Sequence, residues 1–65
     1  MQISALSAAD LSPIASAPIR LGEELGPCLL YGAGRFDLGF WDGETWWDEE
    51  GGIRLKPERW LLLLP

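Results

Sequence analysis

The sequence predicts an α+β fold that is mostly β, a three- to five-stranded antiparallel sheet with one short N-terminal helix. Three observations carry this. Aromatic residues alternate on both sides of Asp42-Gly43, Gly and Pro punctuate the chain at strand-length intervals after Gly26, and a helix-start signature opens near Ser7. With 65 residues the chain is one domain, 1–65, in which an Ala/Ser/Pro-rich helical segment (1–20) packs on a sheet spanning 27–65. A chain this short buries only about 60% of its unfolded surface. Four Trp, two Phe and one Tyr compensate, because each aromatic buries roughly 150–250 Å². That payload separates it from a disordered acidic tail.

The elements follow in order. Ser7-Ala8-Ala9-Asp10 matches a capping box, in which the hydroxyl and the carboxylate each satisfy a free backbone N–H. Leu6 and Leu11 flank it as a hydrophobic staple. Pro13 interrupts the run, since its ring clashes with the carbonyl four residues back and it has no N–H to donate. A fresh start at Ser12 with Pro13 in the first helical position is equally allowed. The expectation is one short, kinked or two-part helix between about Ala8 and Ala17, ended by Pro18.

From Gly26 the pattern is β. Asp42-Gly43 supplies the positive φ angles of a two-residue type I′ turn. That turn pairs Trp41 with Glu44, Phe40 with Thr45, Gly39 with Trp46, Leu38 with Trp47 and Asp37 with Asp48. Side chains alternate, so one face carries Phe36, Leu38, Phe40, Thr45 and Trp47, the expected core. The opposite face carries Arg35, Asp37, Gly39, Trp41, Glu44, Trp46 and Asp48. Asp37 opposite Asp48 is a like-charge pair that Arg35 would have to offset.

Before this hairpin, Pro27 to Tyr31 reads as a strand joined through a three-residue loop, Gly32-Ala33-Gly34. That loop sets Tyr31 opposite Arg35 and puts Cys28 and Leu30 on the core face. Asp48 to Gly52 is a turn, Ile53 to Leu55 a short strand, and Lys56-Pro57-Glu58 a break. Arg59 to Leu64 is the last strand, apolar enough to be covered on both faces.

Composition narrows the function. Ten acidic residues against five basic ones give a net charge of −5, which disfavours direct contact with nucleic acid or an anionic membrane. It favours a basic protein partner. The chain has no His, so the usual general base and His-containing zinc sites are missing. Cys28 is alone and reads as a buried thiol. No cofactor or metal is expected, and neither is catalysis. The lone thiol and the lack of a signal-peptide pattern point to the cytoplasm.

Asp37, Asp42, Glu44, Asp48, Glu49 and Glu50 crowd a stretch without Lys or Arg. Acidic turns keep a Leu- and Trp-rich miniature soluble, and charge runs are usually solvated surface, which is one complete explanation of this stretch. The sharper reading takes Asp37, Glu44, Asp48, Glu49 and Glu50 as a partner-binding patch anchored by exposed Trp41 or Trp46. The competing arrangement buries Trp41 and Trp46 beneath the helix or the last strand. Arg54, Lys56 and Arg59 are expected to pair with the acidic stretch.

The segment Cys28-Leu29-Leu30-Tyr31, the hairpin Phe40-Trp41-Asp42-Gly43-Glu44-Thr45-Trp46-Trp47 and the end Arg59-Trp60-Leu61-Leu62-Leu63-Leu64-Pro65 together resemble a class of small phage and prophage domains of unknown function. The tail departs from that pattern by lacking a Pro before the final Leu-Pro, and the Ala/Ser/Pro opening also differs. The resemblance implies a mobile-element origin, and with it the cytoplasm of a bacterial host, and carries over no catalytic residue. In build the chain also resembles the anti-CRISPR inhibitors, which implies a non-enzymatic protein, monomeric or homodimeric, that occupies a basic nucleic-acid-binding surface, such as that of a type I CRISPR interference complex. The alternative is a generic phage interaction module whose acidity serves only solubility.

Overall fold

The computed structural model describes residues 7–63. Leu6 of the expected staple, and Leu64 and Pro65 of the C-terminal motif, lie outside the described residues. Six strands form one open antiparallel sheet: β1 (Ser12–Pro13), β2 (Leu25–Gly32), β3 (Arg35–Trp41), β4 (Trp46–Asp48), β5 (Arg54–Leu55) and β6 (Arg59–Leu62). Their order across the sheet is β1-β6-β2-β3-β4-β5. The mostly-β expectation holds, but six strands exceed the three to five expected, because Ser12–Pro13 forms the edge strand β1 where a helix was expected.

No α-helix forms among the described residues. The predicted start is present, since the Ser7 N–H donates to the Asp10 carboxylate at 2.8 Å. Only a 3-10 turn, Ala8–Asp10, follows it. Pro13 stops propagation before the cost of helix nucleation is recovered. Ser12 and Pro13 pair instead with Trp60 and Arg59 of β6, and the Ile14 N–H finds the Glu58 carbonyl at 2.8 Å. A second 3-10 turn, Ile14–Ser16, completes the segment.

Both hairpin loops differ from expectation. Ala33 and Gly34 have φ of 53° and 76°, so the two-residue turn with two positive φ angles sits here. Tyr31 therefore opposes Phe36, and Gly32 opposes Arg35. Shortening the loop by one residue reverses β2 relative to β3. Cys28 and Leu30 thus align with Gly39 and Asp37.

The Asp42-Gly43 connection is longer than two residues. Trp41 opposes Trp46, Phe40 opposes Trp47 and Gly39 opposes Asp48, which removes the Asp37–Asp48 pairing. The Asp42 carboxylate builds this loop, accepting the N–H groups of Glu44 and Thr45 at 2.8 Å. It also accepts the Trp47 indole N–H at 2.6 Å. Gly43, with φ 105°, lies against the backbone of Gly22, whose N–H donates to the Gly43 carbonyl at 2.9 Å.

The register shift of two leaves the hairpin's two faces as predicted, yet the core is on the other one. Cys28, Leu30, Trp41 and Trp46 form the buried cluster, with Trp60, Leu62 and Leu55 packed on it. Ile14, Ala17 and Ile19, from the segment between β1 and β2, cover it from the open side. The face expected to be core points outward, with Phe36 38% and Leu38 42% exposed. Phe40, Thr45 and Trp47 on that side are half-buried.

Gly39 helps to choose between the faces. A Cβ there would overlap the Trp47 carbonyl oxygen and press on Leu30 and Leu55 at 3.0 and 3.1 Å. Without it, those two leucines cross the strand and close the layer beside the tryptophans. β6 is covered on one face only: Trp60 and Leu62 join the core while Leu61 is 38% exposed.

Candidate functional site: the outer sheet face and its acidic flank

The outward-pointing positions of β6, β2, β3 and β4 make one continuous aromatic and aliphatic surface. Register places Leu61, Leu29 and Leu38 in one row, and Tyr31 beside Phe36 in the next. Phe40 and Trp47 pair in a third. Tyr31 and Phe36 pack edge-on with ring centroids 4.9 Å apart. The Arg54 guanidinium stands 5.9 Å from the Trp47 ring, close enough for a cation–π contact. Between Pro27, Leu38, Phe40 and Leu63 lies a hollow of ≈ 480 Å³, with Glu49 at its edge.

The predicted binding residues separate into three groups. Trp41 and Trp46 are 9% and 5% exposed, so neither is a surface anchor. They pack edge-on at 5.7 Å, and the Trp41 indole N–H donates to the Arg20 carbonyl at 3.0 Å. Their burial is the alternative the sequence left open, with the Ile14–Ile19 segment supplying the cover.

Asp37 and Asp48 share the inner face with these tryptophans, and both are engaged internally. Arg35 Nη2 is 2.9 Å from Asp37 Oδ1, the only ion pair among the described residues. Asp48 Oδ1 accepts the N–H groups of Gly52 and Ile53 at 2.8 and 3.1 Å and so shapes the β4–β5 turn. They line an inner groove of ≈ 610 Å³ together with Arg35, Leu55 and Lys56. The Lys56–Pro57 backbone passes over Gly32 at one end of this groove, where a Cβ on Gly32 would come within 2.9 Å of the Lys56 carbonyl.

Within the predicted binding set, Glu44, Glu49 and Glu50 are the acids that are exposed. Glu49 continues the β3–β4 ladder, its N–H donating to the Leu38 carbonyl at 3.0 Å, which sets its side chain on the outer face beside Leu38. The expected pairing of Arg54, Lys56 and Arg59 with the acidic run does not form. Arg54 lies over Trp47, and Arg59 donates to the Leu11 carbonyl at 2.8 Å.

Electrostatics follow the same division. Hydrogen bonds from the Thr45 and Glu44 backbone, with a further one from Trp47, hold the Asp42 carboxyl below its ordinary range. Burial pushes the Cys28 thiol up, which disfavours the reactive thiolate. Among the described residues, no group of three His, Cys, Asp or Glu side chains is placed to hold a metal ion. No helix among them is long and apolar enough to cross a membrane.

Sequence reasoning missed Phe36, Leu38, Phe40 and Trp47 as surface because it assigned the core by counting apolar residues in a single hairpin. The signal that finds them is Gly39, since a glycine in mid-strand marks the face that other side chains must cross. Comparison of the chain with protein-family models, with curated proteins and with solved structures finds no match in any of the three.

Proposed function

We propose that the protein is a non-enzymatic interaction module that docks through the outer face of its sheet. One observation carries this reading. Phe36, Leu38 and Leu61, at 38%, 42% and 38% exposure, stand on a single face with Tyr31, Phe40 and Trp47. Scattered exposed apolar residues need no explanation, whereas a contiguous patch with a charged rim marks a docking surface. Binding is favoured over catalysis because the best-placed carboxylates are committed: Asp42 and Asp48 to loop amides, Asp37 to Arg35. A photo-cross-linking residue at Phe36 should capture a partner that the same residue at Ser16, on the other side of the sheet, does not. Equal capture from both positions, or none from Phe36, overturns the reading.

A narrower reading is favoured by Glu44, Glu49 and Glu50, which are exposed and lack an ion-pair partner. Here the module is a phage-encoded inhibitor of anti-CRISPR type, steered by these acids to the basic nucleic-acid surface of a CRISPR effector. Its affinity for a type I effector should fall steeply with salt and vanish on reversing the charge of Glu49 and Glu50. Binding that ignores both changes removes this version and leaves the apolar one.

A further inference from the structure

We propose that the inner groove, at the end of the sheet where β2 turns into β3, is a binding site for a small molecule with an apolar body and a single carboxylate. It lies on the face opposite the docking surface and does not depend on that role.

The groove exists because what fills the rest of the inner face stops short of this end. Along β2 the inner positions run Cys28, Leu30 and Gly32, so the apolar row ends at a residue without a side chain. The positions opposite them on β3 are Gly39, Asp37 and Arg35. The Ile14–Ile19 segment packs on the tryptophan cluster, and none of its residues lines the groove.

The chain leaving β5 closes the space instead. Where it passes Gly32 it is held by β2 and its turn. The Glu58 N–H donates to the Tyr31 carbonyl at 2.7 Å, and the Glu58 carboxylate accepts the Ala33 N–H at 3.3 Å. The groove, of ≈ 610 Å³, therefore has one wall fixed by these bonds. Its size falls within the range of small-ligand sites, about 300–1,000 Å³, which are usually largely preformed.

The lining selects the class of ligand. Ile53, Leu55 and Pro57 supply an apolar wall, and Ile53, at 62% exposure, has apolar surface still to bury. Three of the chain's five cations, Arg35, Arg54 and Lys56, line the groove against two of its ten acids. Both acids are engaged, Asp37 by Arg35 and Asp48 by the amides of Gly52 and Ile53. Among the cations, Arg54 holds its guanidinium over Trp47, and Lys56 has no ion-pair partner among the described residues. Arg35 spends one donor on Asp37 and keeps the others. A carboxylate is matched by these donors, whereas an ammonium group meets them as a like charge. The net charge of −5 over the whole chain turns away polyanions and leaves this groove to a small monoanion.

Amide NMR shifts of the full chain, titrated with phenylbutyrate and separately with the cation phenylbutylamine, test the assignment. Phenylbutyrate should produce saturable shifts at Gly32–Arg35 and Ile53–Lys56, and the amine should bind there at least about 10-fold more weakly. Lys56→Gln and Lys56→Glu, at an exposed site, should weaken phenylbutyrate binding in that order, the second by about 10-fold or more. Leu38→Glu, on the outer face, should leave it unchanged. Near-UV circular dichroism from buried Trp41 and Trp46 reports whether each variant remains folded. The absence of saturable shifts up to about 10 mM phenylbutyrate overturns the site, as does equal binding of the amine or indifference to both Lys56 changes. Shifts centred on Leu38 and Phe40 and lost in Leu38→Glu would overturn it too, by assigning the ligand to the outer hollow.

Discussion

Trp41 and Trp46 stand directly opposite each other across β3 and β4, their rings edge-on at 5.7 Å, each almost fully buried. Truncating a buried Trp costs about 3–5 kcal/mol, comparable with the whole stability of a domain this size at about 0.05–0.15 kcal/mol per residue. Trp46→Ala should therefore be largely unfolded at 25 °C, read as loss of the near-UV dichroism. Phe36→Ala, one face over, should shift the urea midpoint by less than about 1 kcal/mol equivalent. If the two behaved alike, the assignment of inner and outer faces would be wrong.

Gly39 makes a second prediction. Gly-to-Ala in a strand is usually mild, but here the new Cβ meets the Trp47 carbonyl and two core leucines. Gly39→Ala should destabilise by about 1–3 kcal/mol, the cost of overpacking, measured by urea unfolding. Gly52→Ala meets nothing within 4 Å and serves as the control.

Ala33 occupies a turn position that residues with a Cβ disfavour, with φ 53°. The penalty for a non-glycine residue there is about 1–2 kcal/mol, and Asn relieves part of it through its tolerance of this region. Ala33→Asn should raise the urea midpoint, by up to about 1 kcal/mol equivalent. No gain would mean that the turn adopts another geometry in solution.

Much of the fold was legible because local chemistry dictates it. The alternation of apolar residues from Phe36 to Trp41 requires a strand whatever lies around it, and Lys56-Pro57-Glu58 had to interrupt one. What could not be read was anything set by a difference of one residue. Gly32-Ala33-Gly34 can turn with two residues or three, and only the two-residue choice sets Cys28 against Gly39. The helix near Ser7 failed for a related reason: the Ser7–Asp10 cap is local and forms, but β1 depends on an edge of β6 nearly fifty residues away. Among the predicted binding residues, Glu44, Glu49 and Glu50 are exposed, but Trp41 and Trp46 are buried in the core, so the acids and the tryptophans do not share one exposed face.

Asp42 gives the chain an acid-sensitive joint. Its folded carboxyl lies below the ordinary value, so ionised Asp42 favours the folded loop. That contribution is complete above the unfolded pKa of about 3.9 and is lost as pH falls from there through the folded value. Thermal unfolding from pH 7 down to pH 2.5 should show a drop in the wild type that is shallower in Asp42→Asn. The variant should also be less stable at pH 7, because the carboxylate that three donors share is gone. Parallel curves for the two proteins would show that the loop is not the joint.

The insertion of β6 between β1 and β2 sets the order in which the molecule can assemble. β2 and β3 meet through a two-residue turn, a closure on the microsecond scale. In the β2–β6 ladder Leu30 stands opposite Trp60, and among the described residues β1 has β6 as its only strand partner. The chain must therefore close its longest loops late, and topologies dominated by such distant pairings fold in milliseconds to seconds. Until that closure, β2 offers one unpaired edge to solvent and the tryptophans have no lid. The topology predicts that the arrival of Arg59–Leu62 is the slow step of folding, and that amides of β2 facing β6 should be the last to gain protection from hydrogen exchange.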